Sequence, residues 1–392
     1  MAPRDLIDEI MDNIFDVAII GAGPGGSRAA RECLAGGLTV VQLEKAQMPR
    51  LKPCAGGLTG RSLAALSDWR PAGISVPCPG VWFSAAGVRC RLWHPAGMLR
   101  FVHRPDFDHS LVLENLSLPG LTFLSGEALE SVQVEEPSLF RLVTARRTLL
   151  CRQLIAADGS RGVTGRFFPL ARPRGRATAL EVEIRREWLR TDPCPEPCFD
   201  FGAVCRGYGW VFPKQDRWSA GVYTLQRTAS GLRRKLEEYL REKGFGGCAE
   251  QAMEHSVGHT YGVGAGPLKI PESPVYLVGD AAGLAEAAVG EGIYHALESG
   301  RLAGITALRR ARGMADHRDY YRALRPLVWD STFSWLAARL FYRDVETGLK
   351  RFTASGIWRP IVQGYVEGRP LGECLKTLPR LWWGSAGRIE AG

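Results

Sequence analysis

Three kinds of residue in this chain have types and spacings suited to chemistry. Carboxylates close three apolar stretches: Glu44 after Leu38–Leu43, Asp158 after Leu154–Ala157, and Asp280 after Val275–Gly279. A thiol, Cys54, stands beside the glycine pair Gly56-Gly57. Aromatic rings alternate at Tyr208, Trp210 and Phe212. A carboxylate at Glu44 can accept both hydroxyls of a ribose. Cys54 can donate a proton or polarise a substrate, and it can equally be a small buried hydrophobe, the common fate of a free cysteine. Rings two residues apart on a strand share one side. They wall either an apolar pocket or an ordinary core.

The elements that must position these groups follow from the flanking pattern. Phe15–Lys45 reads as a strand, a glycine turn, a helix and a second strand ending in the acid. Gly21, Gly23 and Gly26 give G-x-G-x-x-G directly after the apolar strand Val17–Ile20. The first glycine permits the tight turn, the second lets backbone approach a pyrophosphate, and the third lets helix and strand pack closely. The helix starting near Gly25 points its free N–H groups and positive dipole end at the phosphates. A bare G-x-G-x-x-G also occurs in methyltransferases and in chance loops. The strand, the helix and Glu44 together specify a bound dinucleotide.

Further along, Val81–Trp93 reads as a hairpin turning at Gly87. Arg104–Leu116 reads as a helix with Phe107, Leu111, Val112 and Leu116 on one face. Short strands follow at Leu121–Leu124, Ala128–Val134, Leu139–Thr144, Thr148–Cys151 and Leu154–Ala157. Between Arg174 and Lys269 the pattern is β-rich, with strands at Ala179–Ile184, Phe199–Arg206, Tyr208–Phe212 and Trp218–Leu225 and a polar helix at Leu232–Lys243. A strand at Val275–Val278 then returns to a glycine-rich turn and a helix over Gly290–Arg312, and the remainder is mostly helical.

Taken in order, the glycine fingerprint with Glu44, the Asp158-Gly159 strand end and the Gly279-Asp280 strand end resemble the FAD-dependent oxidoreductases of the glutathione-reductase/p-hydroxybenzoate-hydroxylase structural group. Four further stretches narrow this. Lys52-Pro-Cys-Ala-Gly-Gly-Leu58 is similar to the K-P-C-G-G-G-L loop of the geranylgeranyl reductase family, and Gly207-Tyr-Gly-Trp-Val-Phe-Pro-Lys214 to its Y-x-W-x-F-P segment. His103-Arg-Pro-Asp-Phe-Asp108 with Leu111 resembles its R-x-x-F-D-x-x-L helix, and Gly283–Ile293 its G-F-V-N-P-L-T-G-E-G-I turn. Val366-Glu-Gly-Arg-Pro-Leu resembles the C-terminal G-E-I-S-Y segment more loosely.

The resemblance implies FAD as cofactor and an α/β fold: a Rossmann-type FAD-binding domain, an inserted β-sheet substrate domain and a helical C-terminal region. The FAD domain would comprise residues 1–80, 104–173 and 271–315, the substrate domain a hairpin over 81–103 and a β-rich unit over 174–270, and the helical region 316–392. Its implied cofactor contacts are Gly21, Gly23, Gly25, Gly26, Glu44, Cys54, Ala55, Gly56, Gly57, Arg104, Ala128, Asp158, Asp280, Gly292 and Ile293. Tyr208, Trp210, Phe212 and Glu286 would line the substrate chamber, with Trp82, Trp93 and Trp218 either widening it or packing a core. Lys214 would meet a phosphate head group or lie in solvent. Glu286-Ala-Ala-Val289 departs from the family's N-P-L-T, placing a carboxylate near the flavin and leaving the substrate open. The implied reaction is hydride transfer from reduced flavin to a carbon–carbon double bond of an isoprenoid or similarly apolar substrate, with Cys54 or water adding the proton. A flavin monooxygenase or halogenase is the alternative within enzymes, and an electron-relay flavoprotein docked on a membrane or redox partner protein the alternative outside them. No second G-x-G-x-x-G is present, so NADPH would bind transiently, or a ferredoxin or quinol would donate electrons.

Composition bounds the rest. The chain has 392 residues, 45% hydrophobic and 23% charged, ordinary for a globular protein. No apolar run approaches the ~18–20 residues that span a bilayer. The N-terminal stretch MAPRDLIDEIMDNI is acidic and amphipathic, unlike a signal peptide, so a cytoplasmic location is expected. The net charge of +9 reads as a solvated basic surface or as attraction to anionic membrane or phosphorylated substrates. Trp382-Trp383 with Lys376 and Arg380 is a candidate for peripheral membrane contact. No nucleic-acid-binding module is recognisable. The ten cysteines are scattered. Neither Cys194-x3-Cys198 nor His255-x3-His259, the latter at helical spacing, completes a four-ligand pattern, so no metal is expected.

Overall fold

The computed structural model describes residues 14–66, 69–226, 230–354, 363–364 and 366–369. Its centre is a five-stranded parallel sheet in the order Val275–Leu277, Leu154–Ala156, Val17–Ile20, Val40–Glu44, Leu121–Ser125. Val17–Ile20 and Val40–Glu44 are buried throughout. That is the pattern of parallel strands covered on both faces, and it explains their nearly unbroken apolar sequence. One cover is the helix Pro24–Ala35 packed on the long helix Ile293–Ala311. The other is a four-stranded sheet built from Ile14–Phe15, Thr148–Cys151, Leu139–Thr144 and Leu129–Glu136. Its Leu129, Val132, Phe140 and Leu142 pack on Ala18, Ile20, Val41 and Leu43.

The excursions build a seven-stranded sheet in the order Val257–Val263, Gly175–Arg185, Arg217–Thr224, Gly207–Pro213, Cys198–Phe201, Gly80–Ala85, Val88–Trp93. The early hairpin joins it through parallel pairing of Gly80–Ala85 with Cys198–Phe201. Side chains alternate across this sheet as a pleat requires. Val182, Ile184, Val211, Trp218, Ala220 and Val222 face one way, onto the helices Leu232–Leu240 and Ala249–Glu254. Phe199, Phe201, Tyr208, Trp210, Phe212 and Tyr223 face the other way. Register places Glu181 and Trp210 on either side of Gly221, and Glu183 and Phe212 on either side of Ser219. Two carboxylates thus share the aromatic face.

Several expectations need correction. Phe199–Arg206 stops as a strand at Phe201, because Gly202 takes a left-handed φ of 89° and the chain turns back through Arg206, at φ 51°, into Gly207. The helix from Leu232 is regular only to Leu240 and widens into a short π-turn with Gly244 at φ 85°. Val257–Val263 is a strand. His259 therefore lies on a sheet and His255 in the preceding turn, so the helical spacing of the two histidines has no structural counterpart. Trp218 lies in the core behind the aromatic face with Trp82 against it, and Trp93 is exposed, so none of the three widens the chamber. Lys214 is neither solvated nor open to a head group. It is buried and donates to Glu183 over 2.7 Å. Trp382-Trp383, Arg380 and Lys376 lie outside the described residues.

After the long helix come Arg318–Ala323, Arg325–Phe341 and Val345–Ala354. Arg325–Phe341 lies over the aromatic face: Ala338 belongs to that cluster, and Phe341 packs edge-on against Phe201 with ring centroids 4.8 Å apart. Among the described residues no helix is long and apolar enough to cross a membrane, and no cluster of three or more His, Cys, Asp or Glu could hold a metal ion.

Candidate functional site

The dinucleotide end forms where Val17–Ile20 turns into the Pro24–Ala35 helix. Gly21 sits at φ +105°, and a Cβ there would lie 2.4 Å from Ala157 O. The first helical turn carries no acid and no side-chain cap, so the positive end of its dipole is not offset by the helix's own side chains. Glu44 Oε2 accepts from Ala22 N at 3.0 Å and pairs with Arg50 Nε at 3.1 Å. Arg50 Nη1 reaches Asp108 Oδ2 at 3.1 Å, and Arg104 donates twice to the same carboxylate at 2.8 and 2.7 Å. A Cβ built on Gly23 meets only Arg50 Nη2 at 3.6 Å and Arg104 Nη2 at 4.0 Å. A helix terminus with two guanidinium groups before it is a cradle suited to phosphate.

The opposite end is formed by Gly279-Asp280 and the N-terminus of Ile293–Ala311, with Gly292 as its cap. Asp280 Oδ1 lies 3.4 Å from where a Gly292 Cβ would stand. Burial raises the Asp280 pKa against the pull of Lys52, Arg104 and His295. Burial lowers that of Lys52, which donates to His259 Nε2 over 3.2 Å. Burial, Lys52, Arg161 and Arg104 push His259 down to about 4, so its ring is neutral near pH 7.

The segment Cys54–Gly57 crosses this region. Gly56 has φ +75°, and a Cβ there would strike Val102 O at 2.2 Å, so only glycine lets the loop bond Val102 N–H in this way. Cys54 N donates to Glu181 Oε1 at 2.5 Å, and Gly56 N donates to Cys54 Sγ at 3.4 Å. Burial pushes Glu181 up to about 7 despite Lys214, with Glu183 adding to the rise.

The chamber side is shaped by tyrosines. Tyr223, Tyr342 and Tyr208 donate to three consecutive carbonyls, Ala287 O at 2.8 Å, Ala288 O at 2.6 Å and Val289 O at 2.6 Å. Ser334 Oγ accepts from both Ala287 N and Ala288 N at 3.2 Å. The turn is thereby held on both of its edges. Beneath it, Arg61 pairs with Glu291 at 2.5 Å, Asp330 at 3.0 Å and Glu286 at 3.6 Å, and His295 Nε2 meets Asp330 at 3.1 Å. Thr59 and Ser62 also donate to Glu291. Burial, reinforced by Glu291 and Asp330, pushes Glu286 up to about 7 against the attraction of Arg61.

Relatives matching most of the chain are found. A menaquinone reductase of Mycobacterium tuberculosis is 32% identical over 360 residues, covering 82% of this chain and 81% of that protein. A digeranylgeranylglycerophospholipid reductase of Methanocella arvoryzae is 31% identical over 326 residues, covering 75% and 77%. The chain belongs to the geranylgeranyl reductase family of FAD-dependent oxidoreductases. The fold agrees: a geranylgeranyl bacteriochlorophyll reductase-like protein of Thermoplasma acidophilum superposes with a TM-score of 0.75 at 20% identity, covering 93% of this chain and 96% of that one. A flavin-dependent brominase gives 0.70 at 16% identity. No family model matches the chain.

A geranylgeranyl reductase relative is an enzyme that works with FAD, and the residues present suit that cofactor. Its phosphates would meet the Pro24–Ala35 terminus, Arg50 and Arg104, its adenosine ribose Glu44, and its ring end Asp280, Gly292, Ile293 and the Cys54–Gly57 loop. Gly21, Gly23, Gly25 and Gly26 are gathered at the first of these places. Ala128 is exposed, next to Glu127, whose N–H donates to Glu44 O. Asp158 is less available than the others. Both its oxygens are taken by Thr164, N–H at 2.9 Å and Oγ1 at 2.5 Å, so its carboxylate caps a short helix. Tyr208, Trp210 and Phe212 stand in one row, ring centroids 6.1 and 6.4 Å apart.

Sequence reasoning missed Arg50, Glu181 and the Arg61–Glu291–Asp330–His295 cluster. Arg50 follows Pro49 with no motif around it. The alternation Glu181, Glu183 within an otherwise apolar strand was a usable signal for charge on the aromatic face. The Arg61–Asp330 pair is set by tertiary approach and has no local signature.

Proposed function

We propose that this enzyme reduces carbon–carbon double bonds of an isoprenoid or similarly apolar chain. The observation that carries the proposal is the row Tyr208, Trp210 and Phe212, with Phe199 and Phe201 beside it, on the sheet face that also bears Glu181 beneath the Cys54 loop. An apolar chain is bound there by burial, roughly 25 cal/mol for each Å² removed from water. FAD, when bound and reduced by an external donor, supplies a hydride to one carbon of the double bond. The adjacent carbon needs a proton. Cys54 and Glu181 are the protein groups proposed to deliver it, Glu181 because a carboxyl with a pKa of about 7 still carries a proton to give near neutral pH. Lys214 and Glu183 hold the loop and sheet together around it. Asp280 and the helix terminus at Gly292 orient the cofactor and bias its charge. The cluster around Arg61 keeps Glu286 buried beside the turn that the tyrosines hold. NADPH, a ferredoxin or a quinol is the proposed electron source.

The test is anaerobic. Chemically reduced, flavin-loaded enzyme is mixed with a polyprenyl glycerophospholipid, geranylgeranyl diphosphate or a polyprenyl quinone, and products are weighed by mass spectrometry. A gain of two hydrogens per reduced bond supports the proposal. No gain with any of the three, or a product formed only when oxygen is admitted, defeats it and favours oxygen chemistry on the same fold.

A further inference from the structure

The helix Arg325–Phe341 has two faces with different work. Leu327, Asp330, Ser331, Ser334 and Ala338 are buried. Through Ser331 and Ser334 this inner face bonds Ala285 O and the Ala287 and Ala288 amides, and through Asp330 it pairs with Arg61. The outer face carries Trp329, Phe333, Leu336 and Leu340 at helical spacing, exposed by 72, 42, 50 and 69%. Four large apolar groups in one stripe on a single helix exceed the scattered exposure that soluble surfaces tolerate.

The exposed charges on this helix are of one sign, while exposed acids stand beyond it at Asp344 and Glu272, and the less exposed Asp319 pairs with Arg322. The exposed charged residues of this helix are Arg325 and Arg339, and its one acid, Asp330, is buried in the pair with Arg61. At the N-terminal end, Trp329, Val328 and exposed Ile270 border a shallow hollow of about 210 Å³ with Arg322 and Arg325 on its rim. Toward the other end, Arg339 and Arg174 both lie over the Trp335 ring, at 4.9 and 5.9 Å. Arg172, Arg174 and Arg176, on the adjoining loop and strand, are exposed as well. An apolar stripe containing tryptophan, flanked by arginines on a helix with no exposed acid of its own, is the pattern of a helix lying in the plane of a bilayer, rings among the upper acyl chains and guanidinium groups among the head groups.

We infer that the outer face of Arg325–Phe341 docks this enzyme on an anionic lipid surface. The occupant is a bilayer. A second copy of the chain would have to match the surrounding arginines with acids, and the stripe itself presents none. The inference concerns attachment and stands apart from the reduction proposed above, because it is read without turnover.

The test uses the full-length, flavin-loaded protein and sedimentation with phosphatidylcholine vesicles, with and without 30 mol% phosphatidylglycerol. The native protein is expected to pellet with the anionic vesicles, and to be released as salt is raised, since surface attraction is screened beyond roughly a Debye length of about 10 Å at 0.1 M. The double variant Trp329→Glu, Leu340→Glu should lose at least about tenfold in partitioning, because two side chains that the bilayer would bury are replaced by charges of the wrong sign. Its flavin content and melting temperature should match the native protein, which separates lost docking from misfolding. A Trp329→Phe variant should still pellet but lose part of the fluorescence quenching caused by brominated acyl chains. The inference is overturned if native protein stays in the supernatant with both vesicle types, or if the double variant pellets as well as the native chain. It is also overturned if light scattering shows a native dimer that the variant converts to a monomer while neither binds vesicles. An enzyme that reduces double bonds in detergent yet ignores vesicles defeats this inference alone.

Discussion

Gly23 and Gly26 differ in what a methyl group would meet. At Gly23 the nearest atoms are guanidinium nitrogens at 3.6 and 4.0 Å, an ordinary contact. At Gly26 the methyl would lie 2.1 Å from Gly21 O. Gly23→Ala should therefore leave the melting temperature of the flavin-stripped protein nearly unchanged and weaken flavin binding by roughly tenfold or more, because backbone can no longer approach the pyrophosphate. Gly26→Ala should cost the stripped protein about 1–3 kcal/mol through overpacking. Thermal melts beside flavin titrations separate the two, and equal loss of stability in both would contradict a phosphate cradle at Gly23. Glu181 supplies a pH test. Its carboxyl keeps its proton from the ordinary value of 4.5 up to about 7 in the folded chain. Over that window the native state binds more protons than the unfolded one, so stability falls as pH rises through it. Glu181→Gln does not titrate. Its stability relative to the native chain should rise between pH 5 and pH 8, by at most about 3 kcal/mol at 1.36 kcal/mol per pKa unit. Urea melts at both pH values check this, and a pH-independent difference would show Glu181 to be ionised throughout.

At the scale of elements, the turn over Glu286–Val289 is fixed without a proline. Proline would restrict the backbone covalently. Here tyrosine hydroxyls hold three carbonyls, and Ser334 holds two amides. The cluster below ties the turn to the helix Gly60–Leu66, which carries Arg61, and to Arg325–Phe341. Arg61→Met leaves Glu286, Glu291 and Asp330 buried together without their cation. It should cost about 3–5 kcal/mol in chemical denaturation, and a loss below 1 kcal/mol would mean that His295 alone neutralises them.

Much of this was legible beforehand. The parallel strands announce themselves by unbroken apolar runs, and Tyr208, Trp210 and Phe212 by strict alternation. Val257–Val263 escaped because Gly258, His259, Thr260 and Gly262 give it no apolar period, while two histidines four apart mimic a helix face. Arg50, Glu181 and Arg61 escaped because each is defined by a partner far away in sequence. Local pattern carries no information about such approaches.

For the molecule as a whole, the candidate site belongs to no single domain. Cys54 meets Glu181, Thr59 meets Glu291, and Arg61 meets Asp330, so the first nucleotide-binding segment, the inserted sheet and the C-terminal helices each supply part of it. A cofactor lying along this seam would contact all of these segments. Adding FAD to stripped protein should raise the unfolding free energy by about 2.7 kcal/mol at a free concentration of 100 Kd. The transition should sharpen into one if the flavin joins the two sheets into a single cooperative unit. Differential scanning calorimetry reads both effects, and a shift confined to one of two separate transitions would place the cofactor within one lobe.

The helix Arg325–Phe341 is at once ceiling and hull. Its inward serines grip the Ala285–Ala288 turn beside the aromatic face, and its outward rings meet whatever lies outside. Any force that tilts or seats the helix from outside is transmitted across one helix diameter, about 10 Å, to backbone that would border the proposed substrate. Catalysis in such a molecule would be sensitive to its support: the same enzyme should work at different rates adrift in buffer and moored to a surface.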